Sequence, residues 1–394
     1  MNHSQSLPEP SPDALVHSEK LIKRIREEVS AHDGSIAFRR YMEMALYEPA
    51  LGYYVAGTHK IGAQGDFVTA PEISPLFSQC IAQQCQEVLQ TLQQDNVSNA
   101  DILELGAGSG KMATDILLTL ESQGCLPEHY YILDLSPDLK QRQKETLENN
   151  TPHLLHLVKW LSQLPEKFAG IIIGNEVLDA MPVDVFTQLK DNVFEHFVIW
   201  QDDKLVEQLQ PAREALTKKV QALTIPLDAT PYTSEINPNL EAWFKALANC
   251  LDKGVVLLAD YGYPQKEYYL AERNKGTLIC HYQHLVNEAP LLYSGLQDIT
   301  ANVDFTAVAE SADLAGFQVA GFTSQATFLT NAGLESYFMQ VLDKNPDDQY
   351  KLAQQVRTLS LPSEMGERFK FIALSKNYNQ PLLGFNENDQ RYRL

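Results

Sequence analysis

The chain has 394 residues, 44% of them hydrophobic and 21% charged, an ordinary globular composition but longer than one core usually supports, which implies one large domain carrying a sizeable insertion. Its 51 acidic residues against 31 basic ones give a formal net charge of −20, which repels polyphosphate backbones and argues against nucleic acid as a partner, while a basic protein or peptide would be drawn to it. Scattered cysteines (Cys80, Cys85, Cys125, Cys250 and Cys280) without a CxxC pair indicate buried thiols rather than a disulfide framework or a zinc site, and no apolar run reaches the ~18 residues of a membrane insertion.

Residues 1–14, with Pro8, Pro10 and Pro12 among Ser and Glu, read as a disordered tail with neither an apolar signal core nor an Arg-rich presequence, so the cytoplasm is the expected compartment. An N-terminal helical extension over 15–99 follows. Its apolar positions predict helices over Leu15 to Ala31 and Ile36 to Leu46, then a Gly/Tyr/Pro-rich loop over Tyr47 to Val68. A helix begun by Pro75 then runs to about Gln94. From Asp101 short apolar strands alternate with helices, the pattern of an open, largely parallel sheet. A core over 100–184 holds strands Ile102 to Leu105, Tyr130 to Leu133, Leu155 to Lys159 and Gly170 to Gly174. An insertion over 185–254 holds hairpin strands Val185 to Leu189 and Phe194 to Trp200 and a helix near Pro238 to Leu251. Residues 255–394 complete the core with strand Val255 to Asp260, a cap over 261–304 without clean periodicity, a helix (Phe305 to Ala315), a strand (Phe317 to Phe322) and a last strand, Phe369 to Ser375, inserted antiparallel. The fold class is α/β, a Rossmann-like sheet.

The segment from Ile102 to Lys111 joins a strand to a helix through Gly106, Gly108 and Gly110. A phosphate-cradling P-loop fails here because Leu105 and Met112 stand where Gly and Ser or Thr are required; a dinucleotide loop fails because Lys111 takes the third Gly position. The remaining pattern is ExGxGxG. Small residues, Ala107 among them, let the backbone approach a nucleoside that lacks a pyrophosphate, and Glu104 offers a carboxylate to a sulfonium, an amino group or a water. The cofactor implied is S-adenosyl-L-methionine. Asp134, after the next strand, stands where a carboxylate accepts both ribose hydroxyls, although an Asp there also serves as a turn or cap residue. Leu135 beside it joins the cofactor-binding set, and Val158 to Leu161 at the end of the third strand could flank adenine; Trp160 fits the core equally well.

The fourth strand runs into Asn175-Glu176-Val177-Leu178-Asp179-Ala180-Met181-Pro182, where an acceptor would approach the methyl group. Transfer from a sulfonium is an in-line displacement, so the protein must align donor and acceptor. Glu176 and Asp179 would share a face if this turn is helical, and could clamp a guanidinium through charge-assisted bonds. The plainer reading makes Asp179 a turn cap and Glu176 a solvated acid. Asp260 and Tyr261, closing the fifth strand, could meet substrate or serve as buried hydrogen-bonding groups. His281 and His284 lie three apart without a third ligand at suitable spacing, and Asp298 and Asp304 sit in a turn and at a helix start, so no metal is expected.

Several blocks in order, Gly65 to Ser74, the Glu104 loop, Asn175 to Val183, Asp260 to Tyr263 and Gln297 to Phe305, resemble the methyltransferase family that includes the mitochondrial complex I assembly factor 7, a protein arginine methyltransferase, over about Ile36 to Ser375. The resemblance implies a seven-strand class I methyltransferase sheet, cofactor contacts from Glu104, Gly106 and Gly108, and a site lined by the block Thr69, Ala70, Pro71 and Glu72. It also implies a protein substrate, with a respiratory complex subunit as its type, and a homodimer is compatible with it. Asn175 and Asn302 stand where mitochondrial members carry His, and Asp134 where they carry Glu; the change at Asn175 leaves acceptor specificity open, and the chain is similar to a bacterial-type member. The alternatives are a methyltransferase acting on a small molecule and a non-catalytic assembly scaffold. The retained glycines and acids argue against the scaffold.

Overall fold

The computed structural model describes residues 7–56, 68–97, 99–225 and 231–394. They form two compact units: one draws its described residues from Met1–Phe67, Asp179–Asn239 and Gln265–Asn302, the other from Val68–Leu178, Leu240–Pro264 and Val303–Leu394.

The second unit is built on a sheet whose main strands are β1 (Asp101–Leu105), β2 (Tyr130–Leu133), β3 (Val158–Leu161), β4 (Phe168–Asn175), β5 (Leu251–Tyr263), β6 (Gln318–Ser324) and β7 (Phe369–Lys376). Their spatial order is β6-β7-β5-β4-β1-β2-β3. All pair in parallel except β7, which runs antiparallel to both β5 and β6, as the order of elements predicts. Every residue of β1 is buried, as in a strand covered on both faces. One cover is the helix Pro75–Gln94. Ser74 caps it by accepting the Leu76 N–H (3.3 Å), Pro75 supplies a preset first turn, and Phe77, Ile81, Cys85, Val88 and Leu89 form its buried stripe. Each such side chain contributes roughly 1.5–3 kcal/mol by leaving water. Because β1 has β2 on one side and β4 on the other, the connections leave in opposite directions, opening a crevice at the carboxyl ends of β1 and β4 where ligands bind in such sheets.

Some elements differ from expectation. The third strand is Val158–Leu161 rather than Leu155 to Lys159, since Pro152–Leu157 winds into a 3₁₀ turn; a short apolar run has no period that separates the two. The helix Pro75–Gln94, assigned to the N-terminal extension, packs on β4 and on the helix Lys111–Ser122 of the sheet's own unit. The helix Leu240–Cys250, assigned to the insertion, leads directly into β5 there.

The other unit joins helices Pro12–Ala31 and Phe38–Tyr47 to a five-stranded antiparallel sheet. Ser35–Ala37, with Ile36 and Ala37 expected as helix, is a strand paired with Phe197 to Ile199. To the expected hairpin, observed as Asp184–Leu189 and Asn192–Gln201, are added Lys204–Pro211 and Tyr232–Ile236. Within residues 261–304 lies a second small sheet of Ile279–Tyr282, Leu285–Asn287 and Asp298–Thr300. Its hairpin turns on Gln283 (φ 47°) and His284 (φ 62°), both left-handed, as a two-residue turn between twisted strands requires. No helix among the described residues is long and apolar enough to cross a membrane.

Candidate functional site

After β1 the chain bends through three left-handed glycines, Gly106 (φ 66°), Gly108 (φ 53°) and Gly110 (φ 83°), a conformation that costs other residues a steric penalty. Gly106 N–H donates to Leu133 O (2.9 Å), extending the β1–β2 pairing one step, and Gly110 N–H donates back to Ala107 O (2.8 Å), closing the turn ahead of the helix Lys111–Ser122. A Cβ on Gly110 would stand 2.9 Å from the backbone of Gln143, whereas one on Gly106 would meet only Val177 at 3.7 Å. The loop is therefore pressed against a neighbouring helix at one end and bare at the other.

Glu104 is fully buried. Its Oε2 accepts the Tyr130 hydroxyl (2.7 Å), and its Oε1 has no hydrogen-bond partner among the described residues. Burial pushes the carboxyl up to about 8; the Tyr130 bond opposes this and the Asp134 charge adds to it. An orphaned carboxylate oxygen beside a glycine turn is an acceptor suited to a cationic or N–H-bearing ligand. Asp134 is buried too, with Oδ1 accepting Ser136 N–H (2.9 Å) and Oδ2 accepting the Gln143 amide (2.8 Å). Burial raises its pKa, against the pull of those bonds. A carboxylate accepts more bonds than these, so it retains capacity for a hydroxyl donor. Leu135 beside it is 69% exposed. Trp160, half-buried on β3, donates its Nε1–H to Gln143 Oε1 (3.1 Å).

Of the Thr69–Glu72 block, Glu72 reaches the glycine loop by accepting the Ser109 hydroxyl, and Thr69 O accepts Glu72 N–H (3.0 Å) across the turn that buries Pro71. Gly65 to Phe67 lie outside the described residues.

Beyond β4, Asn175 donates from Nδ2 to Glu176 Oε1 (3.0 Å), and Asn175 Oδ1 is buried without a hydrogen-bond partner among the described residues. Glu176 is left-handed (φ 53°), strained for a residue with a Cβ. Its N–H donates to Ala259 O (2.9 Å), and Leu178 N–H donates to Asp260 Oδ2 (2.9 Å). Asp260, buried at the end of β5, also accepts Tyr261 N–H (2.9 Å), so of its two expected roles the hydrogen-bonding one is visible. No helix forms between Asn175 and Asp184, so the condition under which Glu176 and Asp179 would share a helical face is not met. Asp179 falls in the other unit. There it is buried, its carbonyl accepting Ala301 N–H (3.1 Å), and with Asp298 it pushes the Tyr54 hydroxyl upward after burial itself; Tyr54 donates to Asp298 Oδ1 (2.9 Å). Sequence reasoning missed Gln143, since a glutamine in a polar helix carries no signal.

A family model of S-adenosyl-L-methionine-dependent methyltransferases matches residues 80–323. A Burkholderia thailandensis protein solved with bound S-adenosyl-homocysteine has the same fold, at a TM-score of 0.93 and 39% identity, covering 99% of this chain and 100% of that one. The chain belongs to this methyltransferase family. Its cofactor is S-adenosyl-L-methionine, and the residues fit that group: an orphaned buried carboxylate oxygen, three side-chain-free left-handed turns, and a fixed acid after β2. Curated relatives include the protein arginine methyltransferase NDUFAF7 of zebrafish (Danio rerio), 28% identical and covering 94% of this chain and 93% of that protein, and the Drosophila melanogaster homolog, 27% identical and covering 95% and 89%. The human protein of that name is 28% identical, covering 86% of this chain and 80% of its own length.

Proposed function

We propose that this methyltransferase modifies an arginine side chain of a protein partner, a respiratory complex subunit being one candidate acceptor. Glu104, Gly106, Ala107, Gly108 and Gly110 would hold the methionine and ribose portion of the cofactor, Asp134 the ribose hydroxyls, and Leu135 and Trp160 the adenine. Thr69, Pro71 and Glu72 would brace the loop. When bound, the cofactor supplies an electrophilic methyl group on a sulfonium. The acceptor nitrogen forms a bond to that carbon as the carbon–sulfur bond breaks, S-adenosyl-homocysteine leaves, and the nitrogen's surplus proton passes to solvent or a carboxylate.

The observation carrying this reading is the Asn175–Glu176 loop at the end of β4. Glu176 is held left-handed by its own N–H and by the Leu178–Asp260 bond, with its carboxylate oriented by Asn175. A carboxylate fixed this way, at the sheet edge where the crevice opens, is the group a guanidinium needs: its paired N–H donors match a carboxylate, and pinning the charge on one side leaves electron density on the reacting nitrogen. The net charge of −20 would draw a basic substrate segment. The names of the relatives support the same acceptor class. Asp179 is assigned a substrate role on sequence grounds only.

The experiment compares methylarginine peptides by mass spectrometry in cells with and without this gene product, followed by methylation of the candidate peptide by the purified enzyme. Loss of specific methylarginine sites supports the proposal. Unchanged methylarginine together with cofactor-dependent turnover of a small molecule would reject it.

A further inference from the structure

The helix Pro137–Asn150 is polar apart from Pro137, Leu139 and Leu147, and of its residues only Gln143 and Leu147 are buried. A glutamine withdrawn completely from water on such a helix requires a reason, because an amide buried without partners costs free energy. Gln143 Nε2 donates to Asp134 Oδ2 (2.8 Å) and to Gly108 O (3.2 Å), while its Oε1 accepts the Trp160 indole N–H (3.1 Å). Both amide hydrogens are used. Reversing the amide would set its oxygen against a carboxylate and a carbonyl and its NH₂ against an indole N–H, so the network permits one orientation only. One side chain thus ties together the glycine loop after β1, the acid after β2 and the aromatic on β3. The backbone of the same residue is the atom group a Cβ on Gly110 would strike, at 2.9 Å, so helix and loop are in close contact as well as bonded.

We propose that Gln143 is a positioning residue for cofactor recognition, fixing the Asp134 carboxylate and the Gly108 carbonyl in the arrangement that receives the ribose. Ser136 N–H holds one oxygen of Asp134 and Gln143 the other, which sets the plane of the carboxylate while leaving it capacity to accept a hydroxyl. Without Gln143 the carboxylate keeps its bond from Ser136 N–H but loses the tether on its other oxygen, and a bidentate contact to a diol becomes a looser one. This role rests on Asp134 being the ribose acceptor, as in the proposed function.

The test is calorimetric titration of S-adenosyl-homocysteine and of its 2′-deoxy analogue into the wild-type protein and three variants. Gln143→Met keeps the volume and removes the bonds. It is expected to weaken S-adenosyl-homocysteine by about tenfold and to shrink the wild-type preference over the deoxy analogue to within about twofold. Such a loss of discrimination is not produced by a general stability defect. Gln143→Glu faces Asp134 with a second carboxyl, so its affinity should recover as pH falls and the pair shares a proton; this variant serves if Gln143→Met does not fold. Asp134→Ala separates the two readings. If it abolishes discrimination while folded Gln143→Met binds within about twofold of wild type and keeps it, the role of Gln143 is overturned. If discrimination survives in Asp134→Ala, the ribose assignment fails, and the proposal with it.

Discussion

The turns that follow β1 and β4 both end on the crevice, but they are made differently. The first is shaped by backbone: Gly106, Gly108 and Gly110 adopt left-handed conformations that residues with a Cβ avoid, so spacing alone betrays it. The second is shaped by bonds from far along the chain. Glu176 is left-handed although it is not glycine, and it is kept so by Ala259 and Asp260, both more than eighty residues further on. The turn proposed to receive the cofactor is thus shaped mainly by its own glycines, while the turn proposed to position an acceptor depends on the fifth strand as well as the fourth.

Substitutions that strike one turn and spare the other sharpen this contrast. The largest effect should come from Glu176→Gln, which keeps shape but lacks the charge. We expect turnover to drop by at least about 100-fold with S-adenosyl-homocysteine affinity within about threefold of wild type. Steady-state rates and calorimetry check this, and undiminished turnover would remove Glu176 from the reaction. Gly106→Val forces a β-branched residue into φ 66° on the cofactor side and should weaken S-adenosyl-L-methionine binding by about 30-fold or more, read by the same titration; normal binding would mean that the loop is misplaced. Asp260→Asn exchanges an acceptor of Leu178 N–H for a poorer one, for an expected cost of about 1.5 kcal/mol in denaturant unfolding and a slower enzyme with unaltered cofactor affinity.

Smallest is the pH effect of Glu104. Burial raises its carboxyl from 4.5 to about 8, so the folded chain favours the protonated form while the unfolded chain ionises. The resulting stability is complete below about 4.5 and is lost as pH rises through about 8. Glu104→Gln cannot ionise and should gain on wild type in melting temperature between those limits. Parallel melting profiles across that range would contradict the assignment.

The central strands were legible because parallel strands covered on both faces read as near-continuous apolar runs, and the late antiparallel strand followed from the order of elements. The strand Lys204–Pro211 was not, since all of its residues are exposed or half-buried and no alternation survives. The Gln283–His284 turn escaped because neither residue is one of the usual carriers of a left-handed turn. At the site, Glu104, the glycines and Asp134 stand at strand ends and announce themselves by register. Gln143 does not, as its importance arises from three partners on three different segments. Asp179 shows the opposite failing, for a spacing of three suggested a shared face that only a helix would create.

The most direct measurement is a crystal structure of this protein with S-adenosyl-homocysteine. The ligand should lie along Gly106 to Gly110 with its ribose hydroxyls on Asp134 and its sulfur turned toward the Asn175–Glu176 loop. Density for the nucleoside anywhere else, or a ribose without contact to Asp134, would contradict the account.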